Sequence, residues 1–228
     1  MISIKSSSLR KWLKIIIPFA LIPASITAGL SVPGEKLYAY VTLVITAFTV
    51  LLFIAGFEAK KTGTRRLIIA AVMIALSVAG RFIPFFKPVT ALTVITAVYL
   101  GGETGFLVGS LSAVISNFYF GQGPWTPFQM FAWGMIGLIA GFLALPLKKS
   151  RILVLAYGLL AGILYSFVMD IWTVLWYNGE FNGALYLSAL ISAIPYTILY
   201  SFSNVIFLWF FAKPFGEKLE RIKIKYEI

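Results

Sequence analysis

Eight apolar stretches, separated by short basic or Gly- and Pro-rich connections, run along the 228-residue chain. A bilayer core takes about 20 apolar residues of helix, within a range of about 17 to 25. The pattern therefore predicts an all-α polytopic membrane protein with about eight transmembrane helices, at 13–32, 37–57, 67–86, 88–102, 104–120, 125–147, 152–177 and 184–212. The fourth stretch is short, and the last two are long enough to tilt or to extend beyond the bilayer.

The first apolar stretch follows a basic segment, as in a secretory signal. Its end, "PASITAGL", has no clean small-x-small cleavage site. We therefore expect an uncleaved helix, kinked by Pro18 and Pro23, which a membrane helix tolerates.

Basic residues are distributed unevenly between the connections. With eight spans, both termini and the 58–66 and 148–151 connections lie on one side of the membrane and carry 16 Lys and Arg residues. The other side carries three, namely Lys36, Arg81 and Lys87. The positive-inside rule places the richer side in the cytoplasm. We expect a multi-pass protein of the cell membrane with both termini cytoplasmic.

Composition argues against most enzyme classes. The chain is 60% hydrophobic, 12% charged and contains neither Cys nor His, so disulfides, thiol nucleophiles, His-based catalysis and Cys/His zinc sites are excluded. The phosphate-binding pattern GxxxxGK[ST] is missing, so ATP hydrolysis by this chain is not expected. Membrane topology accounts for the net charge of +11. We predict no enzymatic activity, no cofactor, no metal site and no nucleic-acid partner.

The connection "NFYFGQGPWTPFQM", residues 117–130, contains more than a turn between two helices requires. Its glycines and prolines predict an interruption of the helix. Gly121 and Gly123 are suited to backbone conformations with positive φ. We interpret this hairpin as the lip of a ligand pocket, with a close-packed turn as the alternative.

Aromatic and polar residues gather on the outward side. The outward segments 81–88, 118–128 and 172–186 hold 13 aromatic residues in 34. An aromatic belt at the bilayer interface explains part of this excess, but not the amides and the Arg among the rings. Asp170 lies about 10 Å inside the outer end of its helix, a depth at which an ionisable group faces a cavity or a partner. The predicted pocket residues are Arg81, Phe85, Lys87, Asn117, Gln122, Trp125, Gln129, Trp133, Asp170, Trp176, Tyr177, Asn178, Tyr196 and Tyr200.

Structural roles are alternatives for several of these residues. An ion pair with Arg81 would account for Asp170. Hydrogen bonds between helices would account for Asn117 and Gln129.

Small residues recur at every fourth position in three stretches, which lets another helix approach closely. They are Ala71, Ala75 and Ala79; Gly101, Gly105 and Gly109; and Gly137 and Gly141. Within one chain such spacing is typical of intramolecular packing.

Residues 66–213 resemble the substrate-binding S component of energy-coupling factor (ECF) transporters. The resemblance rests on the Ala-rich "RRLIIAAVMIALSVAGRFIPFFKP", on "LGGETGFLVGSLSAVISNFYFGQGPWTPFQMFAWGMIGLIAGFLA", and on six spans that end in a basic tail. It implies a six-helix binding core at 66–213, preceded by two extra helices in 1–65 and followed by a basic cytoplasmic tail at 214–228.

The resemblance also implies a mechanism. An S component binds a vitamin or metal ion from outside and docks on a transmembrane T component, which two cytoplasmic ATPases drive. It is thought to topple in the membrane to deliver its ligand. Ala71, Ala75 and Ala79 would form the docking stripe, and the 81–88 connection would gate the ligand. The family core usually has six spans, so the two extra helices would anchor the protein, cover the docking face or mark a subgroup with another role.

Rings and amides favour a vitamin-like heterocycle over a bare metal ion, which needs His, Cys or clustered carboxylates. Within the family, the cobalamin-like or unassigned organic-ligand subgroups look nearest, while thiamine, a queuosine precursor or another heterocycle stay open. Two other functions fit the sequence. One is a self-sufficient transporter that couples to protons through Asp170, and the other is a membrane scaffold that binds no small molecule.

Overall fold

The computed structural model describes residue 4 and residues 6–31, 37–56, 63–84 and 86–226. These residues form helices joined by short connections, with no β-strand among them, which confirms the all-α fold. The helices are α1 (Ser7–Ile16), α2 (Ile22–Ser31), α3 (Leu37–Ala55), α4 (Gly63–Gly80), α5 (Val89–Leu100), α6 (Gly102–Phe120), α7 (Trp125–Phe142), α8 (Ala144–Lys149), α9 (Arg151–Asn178) and α10 (Gly183–Tyr226).

The helices follow the eight apolar stretches with three differences. A π-helical turn at Ile17–Leu21, which contains Pro18, joins α1 to α2. A break at Leu143 separates α7 from α8 within the sixth stretch. α10 does not end with the apolar residues but continues to Tyr226, because the Lys, Arg and Glu residues of the basic tail are good helix formers.

Four helical segments of the described residues are long and apolar enough to cross a membrane by length and composition alone. They are Ser7–Leu30, Leu37–Ala55, Arg151–Asn178 and Gly183–Tyr226. α4, α6 and α7 have 18 or 19 residues, with polar or small residues among the apolar ones, and α5 has 12. The apolar helices confirm that this is a membrane protein.

The centre of the bundle is α5. All of its residues except Tyr99 are buried, and it packs against α4, α6, α7, α9 and α10. It ends at Gly101, whose φ of 98° is readily adopted by glycine because glycine has no Cβ. At about 1.5 Å per residue, α5 is about 18 Å long, which is shorter than the roughly 30 Å of a bilayer core.

Glycines hold α6 and α7 together. A Cβ on Gly137 would lie 2.5 Å from the carbonyl carbon of Gly105, and a Cβ on Gly102 would lie 2.9 Å from the Leu138 carbonyl oxygen. The backbones of the two helices therefore touch, which only glycine permits. The glycine spacing in the sequence reflects intramolecular packing, as expected.

Polar side chains join α9 to α10. Asn204 Nδ2 donates to the Gly158 carbonyl at 3.1 Å, and Ser201 Oγ donates to the Leu159 carbonyl at 3.1 Å. Such contacts replace the hydrophobic effect as a source of specificity between helices in lipid. The first half of α10 is more exposed, since its first buried residue is Ser201, but it still contacts α9, where the Tyr186 hydroxyl donates to the Phe167 carbonyl at 3.2 Å.

Basic residues meet at one end of the bundle, which we call the basic end. Lys14 of α1 forms an ion pair with Glu103 of α6 at 2.7 Å, and thereby attaches the N-terminal helices to the core. Lys148 pairs with Glu220 at 2.9 Å, and Arg65 Nη1 donates to the Tyr226 carbonyl at 2.9 Å. The opposite end, with Arg81, the 121–124 connection and the end of α9, is the aromatic end.

Candidate ligand-binding site

A buried chain of hydrogen bonds crosses the bundle near the aromatic end. Arg81, just after α4, donates through Nη1 to Ser116 Oγ and, at 2.8 Å, to Asn117 Oδ1. Asn117 Nδ2 donates to Gln129 Oε1 at 2.8 Å, and Gln129 Nε2 donates to the Tyr165 hydroxyl at 3.2 Å. We call Arg81, Asn117, Gln129 and Tyr165 the polar chain. It links the end of α4 to α6, α7 and α9, so three residues predicted for the pocket do meet.

Aromatic rings cover the polar chain. Trp133 stacks on Tyr165 with ring centroids 4.9 Å apart and an interplanar angle of 15°, and Tyr200 meets Tyr165 edge-on at 5.5 Å. The Arg81 guanidinium lies 4.8 Å from the Phe120 ring centroid and 5.3 Å from that of Trp133. Cation–π attraction and the hydrogen bonds together hold this buried charge.

Lys87 connects the turn after α4 to α10. Its backbone N–H donates to Ser203 Oγ at 2.9 Å, and its Nζ lies 5.8 Å from the Phe120 ring centroid. Burial, and secondarily the Arg81 cation, lower the pKa of Lys87. Two cations therefore lie close to the same ring, a positive region suited to the electron-rich edge of a ligand.

Gln122 belongs to the hairpin turn itself. Its Nε2 donates to the Val114 carbonyl at 2.8 Å, and its Oε1 accepts from Thr126 Oγ1 at 3.1 Å. Both ends of the amide are therefore occupied, one by α6 and the other by α7. The turn in this way brings Thr126 within 2.9 Å of Asn117 Nδ2, which orients the polar chain.

The two hairpin glycines serve different needs. Gly121 ends α6 with a φ of 103°, as predicted. The same prediction is wrong for Gly123, which is not among the positive-φ glycines. Its Cβ would instead collide with the Trp125 ring, so glycine is required there for space.

Asp170 is buried but does not pair with Arg81. The ion pairs among the described residues, Lys14–Glu103 and Lys148–Glu220, do not include it. Its Oδ2 is buried and has no hydrogen-bond partner in the described part of the chain. The ion-pair explanation of Asp170 is therefore wrong, and the carboxylate keeps an acceptor for another group.

Three tryptophans at the aromatic end contact one another in sequence, from the start of α7 to the end of α9. Trp125 meets Trp172 edge-on at 5.8 Å, and Trp172 stacks near Trp176 at 6.3 Å with an interplanar angle of 27°. The Trp172 Nε1 atom is buried and has no acceptor among the described residues.

The remaining predicted residues lie apart from the polar chain. Tyr177, Asn178 and Tyr196 are exposed, and Tyr196 retains 66% of its accessible surface. Asn178 Nδ2 donates to the Glu180 carbonyl at 3.1 Å, a contact within the turn that follows α9. Phe85 lies outside the described residues.

A cavity of about 550 Å³ lies beside the hairpin at the aromatic end. Pro124, Pro127 and Trp176 form one wall, while Tyr38 and Val41 of α3 contribute to the other. The hairpin therefore is the lip of a cavity, and the extra N-terminal helices help to enclose it.

Residues 61–218, which are more than half of the chain, match the family model described as "ECF-type riboflavin transporter, S component". The chain belongs to this family. Neither a curated protein nor a solved structure matches the chain.

The family establishes the general class of function. An S component is the membrane-embedded substrate-binding subunit of an ECF transporter and not an enzyme. Its family implies a small-molecule ligand, a T component and ATPases as partners. The matched segment contains α4 to α9 and most of α10, whereas α1, α2 and α3 precede it.

The alanine stripe of this S component is exposed. Ala71, Ala75 and Ala79 line an apolar groove of about 680 Å³ along α4. Leu107 and Leu111 of α6 also line this groove, as do Val50 and Phe53 of α3. In the described residues, α3 thus stands beside the stripe and leaves it open.

Four residues of the site were missed by sequence reasoning: Ser116, Thr126, Tyr165 and Trp172. Tyr165 lies five residues before Asp170 on α9, so the helical period does not place the two on one face. Ser116 and Thr126 carry no signal either, because hydroxyl residues in membrane helices usually bond to their own backbone.

Proposed function

We propose that this S component captures a flat heterocycle of the flavin type at the aromatic end and passes it to a T component driven by two cytoplasmic ATPases. The observation that carries the proposal is the junction between the polar chain and the Trp133–Tyr165 stack. Hydrogen-bonding groups and ring faces meet there, as the recognition of a heterocycle requires. The description of the matching family, which names riboflavin, supports the flavin.

Three buried polar atoms are available for such a ligand. Arg81 Nε and Trp172 Nε1 are donors without an acceptor, and Asp170 Oδ2 is an acceptor without a donor, among the described residues. Riboflavin has ring carbonyls that accept hydrogen bonds and side-chain hydroxyls that donate them. Buried polar groups are normally paired, so a ligand with this mixture would satisfy them.

The aromatic end faces outward in this proposal. The contacts at the basic end bring Lys14, Arg65 and Lys148 together, in agreement with the positive-inside rule. Ligand would therefore enter from outside, past the hairpin and the 81–88 turn.

The groove along α4 is the proposed contact for the T component. Small residues at Ala71, Ala75 and Ala79 allow a close approach of helices. Because α3 forms the far wall, a helix of the T component would lie between α3 and α4.

A titration of purified full-length protein with riboflavin tests the ligand. Binding at this junction should quench flavin fluorescence, and Trp133→Ala should weaken binding by about two- to tenfold, since an aromatic contact contributes about 0.5–1.5 kcal/mol beyond area burial. Tyr177→Ala, at an exposed ring, is the matched control. Binding of cobalamin or thiamine but not riboflavin would correct the ligand, and an absence of binding in the whole panel would contradict capture.

Asp170 favours a second candidate, a proton-coupled transporter that works alone. Its buried, unpartnered Oδ2 is the kind of group that binds a proton within a membrane. Vesicles containing this chain alone should then take up ligand along a pH gradient, and Asp170→Asn should abolish uptake. Uptake that requires the T component and ATP would contradict this candidate.

A further inference from the structure

A second cavity lies at the basic end, far from the polar chain. It has a volume of about 340 Å³ and is bounded by α5, α9 and α10 together with the α8 segment. Its walls are apolar, with Val94, Val98 and Leu208 among them, and its rim carries Lys148, Arg151 and Lys213. The cavity thus combines an apolar interior with a cationic rim.

The three cations are held to different degrees. Arg151 Nη2 donates to the Trp209 carbonyl at 2.8 Å, and the guanidinium lies 3.7 Å from the Trp209 ring centroid. This contact positions the group and uses one of its five N–H donors. Lys213 forms no ion pair with any residue that the structure describes.

Lys148 is the most strongly engaged cation. It pairs with Glu220 at 2.9 Å and lies 4.6 Å from the ring centroid of Tyr99, which also lines the cavity. Glu217 is the one carboxylate in the lining, and it forms no ion pair in the described part of the chain. Three cations face two carboxylates, so the rim has a positive charge.

The start of α9 adds to this positive potential. The helix begins at Arg151, and the partial positive charge of a helix N-terminus favours anions. A 28-residue helix directs its N-terminus at the same rim that Arg151 and Lys148 occupy.

We propose that this cavity binds the head group of an anionic phospholipid. A phosphodiester satisfies the unused donors of Arg151 and Lys213, and the adjoining glycerol and acyl carbons cover Val94, Val98 and Leu208. Free phosphate would leave those apolar walls uncovered. The positive-inside rule places the basic end at the cytoplasmic leaflet, where basic pockets between helices meet anionic lipids. The site is independent of the transported ligand.

Such a lipid would join α10 to the α8–α9 connection. A ligand that binds only the folded state raises the free energy of unfolding by RT ln(1 + [L]/Kd). We therefore expect phosphatidylglycerol to raise the unfolding midpoint of the delipidated, full-length protein, whereas phosphatidylcholine at the same concentration leaves it unchanged. Native mass spectrometry should show one tightly retained phosphatidylglycerol.

The deciding variant is Arg151→Gln with Lys213→Gln. Its affinity for phosphatidylglycerol should fall about 30-fold, from about a fivefold loss per cation. The matched control, Lys218→Gln with Arg221→Gln, removes the same charges from the basic tail outside the cavity and should keep the affinity. Lys213→Gln alone breaks no described ion pair, so this variant should fold even if the loss of Arg151 impairs folding. Its affinity for phosphatidylglycerol should fall about fivefold.

Three results would overturn the proposal. Equal losses in the control pair would show a diffuse surface-charge effect. An equal shift with inorganic phosphate would identify a free anion as the occupant, and an equal shift with phosphatidylethanolamine would remove the selectivity for an anionic head group.

Discussion

Asn117 Nδ2 donates a partly buried hydrogen bond to Gln129 Oε1 at 2.8 Å. The bond joins α6 to α7 at the aromatic end. Because Asn117 also accepts from Arg81, the amide transmits any displacement of the 81–84 turn to α7. One side chain thereby connects the turn that gates the site in our proposal with the helix that carries Trp133.

Asn117→Ala should destabilise the protein even without ligand. It leaves the partly buried Gln129 Oε1 without its donor and Arg81 Nη1 with Ser116 as its remaining acceptor, at a cost of about 1–3 kcal/mol for the unpaired group. The free energy of unfolding in detergent, measured with denaturant, checks this expectation. Asn178→Ala, at an exposed amide, is the matched control, and equal effects of the two substitutions would contradict the role of the polar chain.

Gly137→Ala should separate α6 from α7. The added Cβ would lie 2.5 Å from the Gly105 carbonyl carbon, and overpacking of this kind costs about 1–3 kcal/mol. The unfolding midpoint should fall accordingly. Gly183→Ala is the control, since no described atom lies within 4 Å of its Cβ position. An unchanged midpoint for Gly137→Ala would show that the helices are not in backbone contact.

Ala75→Trp should prevent assembly with the T component without affecting ligand binding. The indole would fill the groove that the alanine stripe leaves open. Co-purification of the T component measures assembly, and flavin titration measures binding. Val72→Trp places the same ring on α4 at an exposed position outside the groove lining and should assemble normally. Normal assembly of Ala75→Trp would rule out the stripe as the contact.

Acid should lower the free energy of unfolding by protonating Glu220 and breaking its ion pair with Lys148. The hydrogen bond from Lys148 lowers the pKa of Glu220. A carboxylate whose folded-state pKa is lowered stabilises the fold above its unfolded pKa, about 4.3, and loses that contribution as the pH falls through the lower folded value. At this partly exposed pair the contribution is about 0.2–1 kcal/mol.

Glu220→Gln should remove that part of the pH dependence. The measurement is the unfolding midpoint between about pH 6 and pH 3, around the carboxylate pKa. Glu217→Gln removes a neighbouring carboxylate that forms no described ion pair and should keep the acid dependence of the parent chain. A pH profile that is identical in Glu220→Gln and the parent would contradict the role of this ion pair.

Much of the architecture could be predicted from the sequence, because apolar length and glycine spacing are local properties. Arg81, Asn117 and Gln129 were predicted to lie together on the aromatic side of the bundle, and they meet in the polar chain. The rotation of each helix about its axis and the packing of its side chains could not be predicted from apolar length and residue spacing. Tyr196 and Tyr200 are one turn apart on α10, yet only Tyr200 contacts Tyr165, since α10 has no buried residue before Ser201.

α10 is long enough to connect the two ends of the bundle. Its 44 residues extend about 66 Å, more than twice the roughly 30 Å of a bilayer core. The Asn204–Gly158 hydrogen bond attaches α10 to α9 near the middle of α10. At the basic end, the Tyr226 carbonyl accepts a hydrogen bond from Arg65 at the start of α4. A displacement of α10 about the Asn204–Gly158 contact would therefore reach α4, the helix that carries the alanine stripe, at the end of the bundle opposite the polar chain.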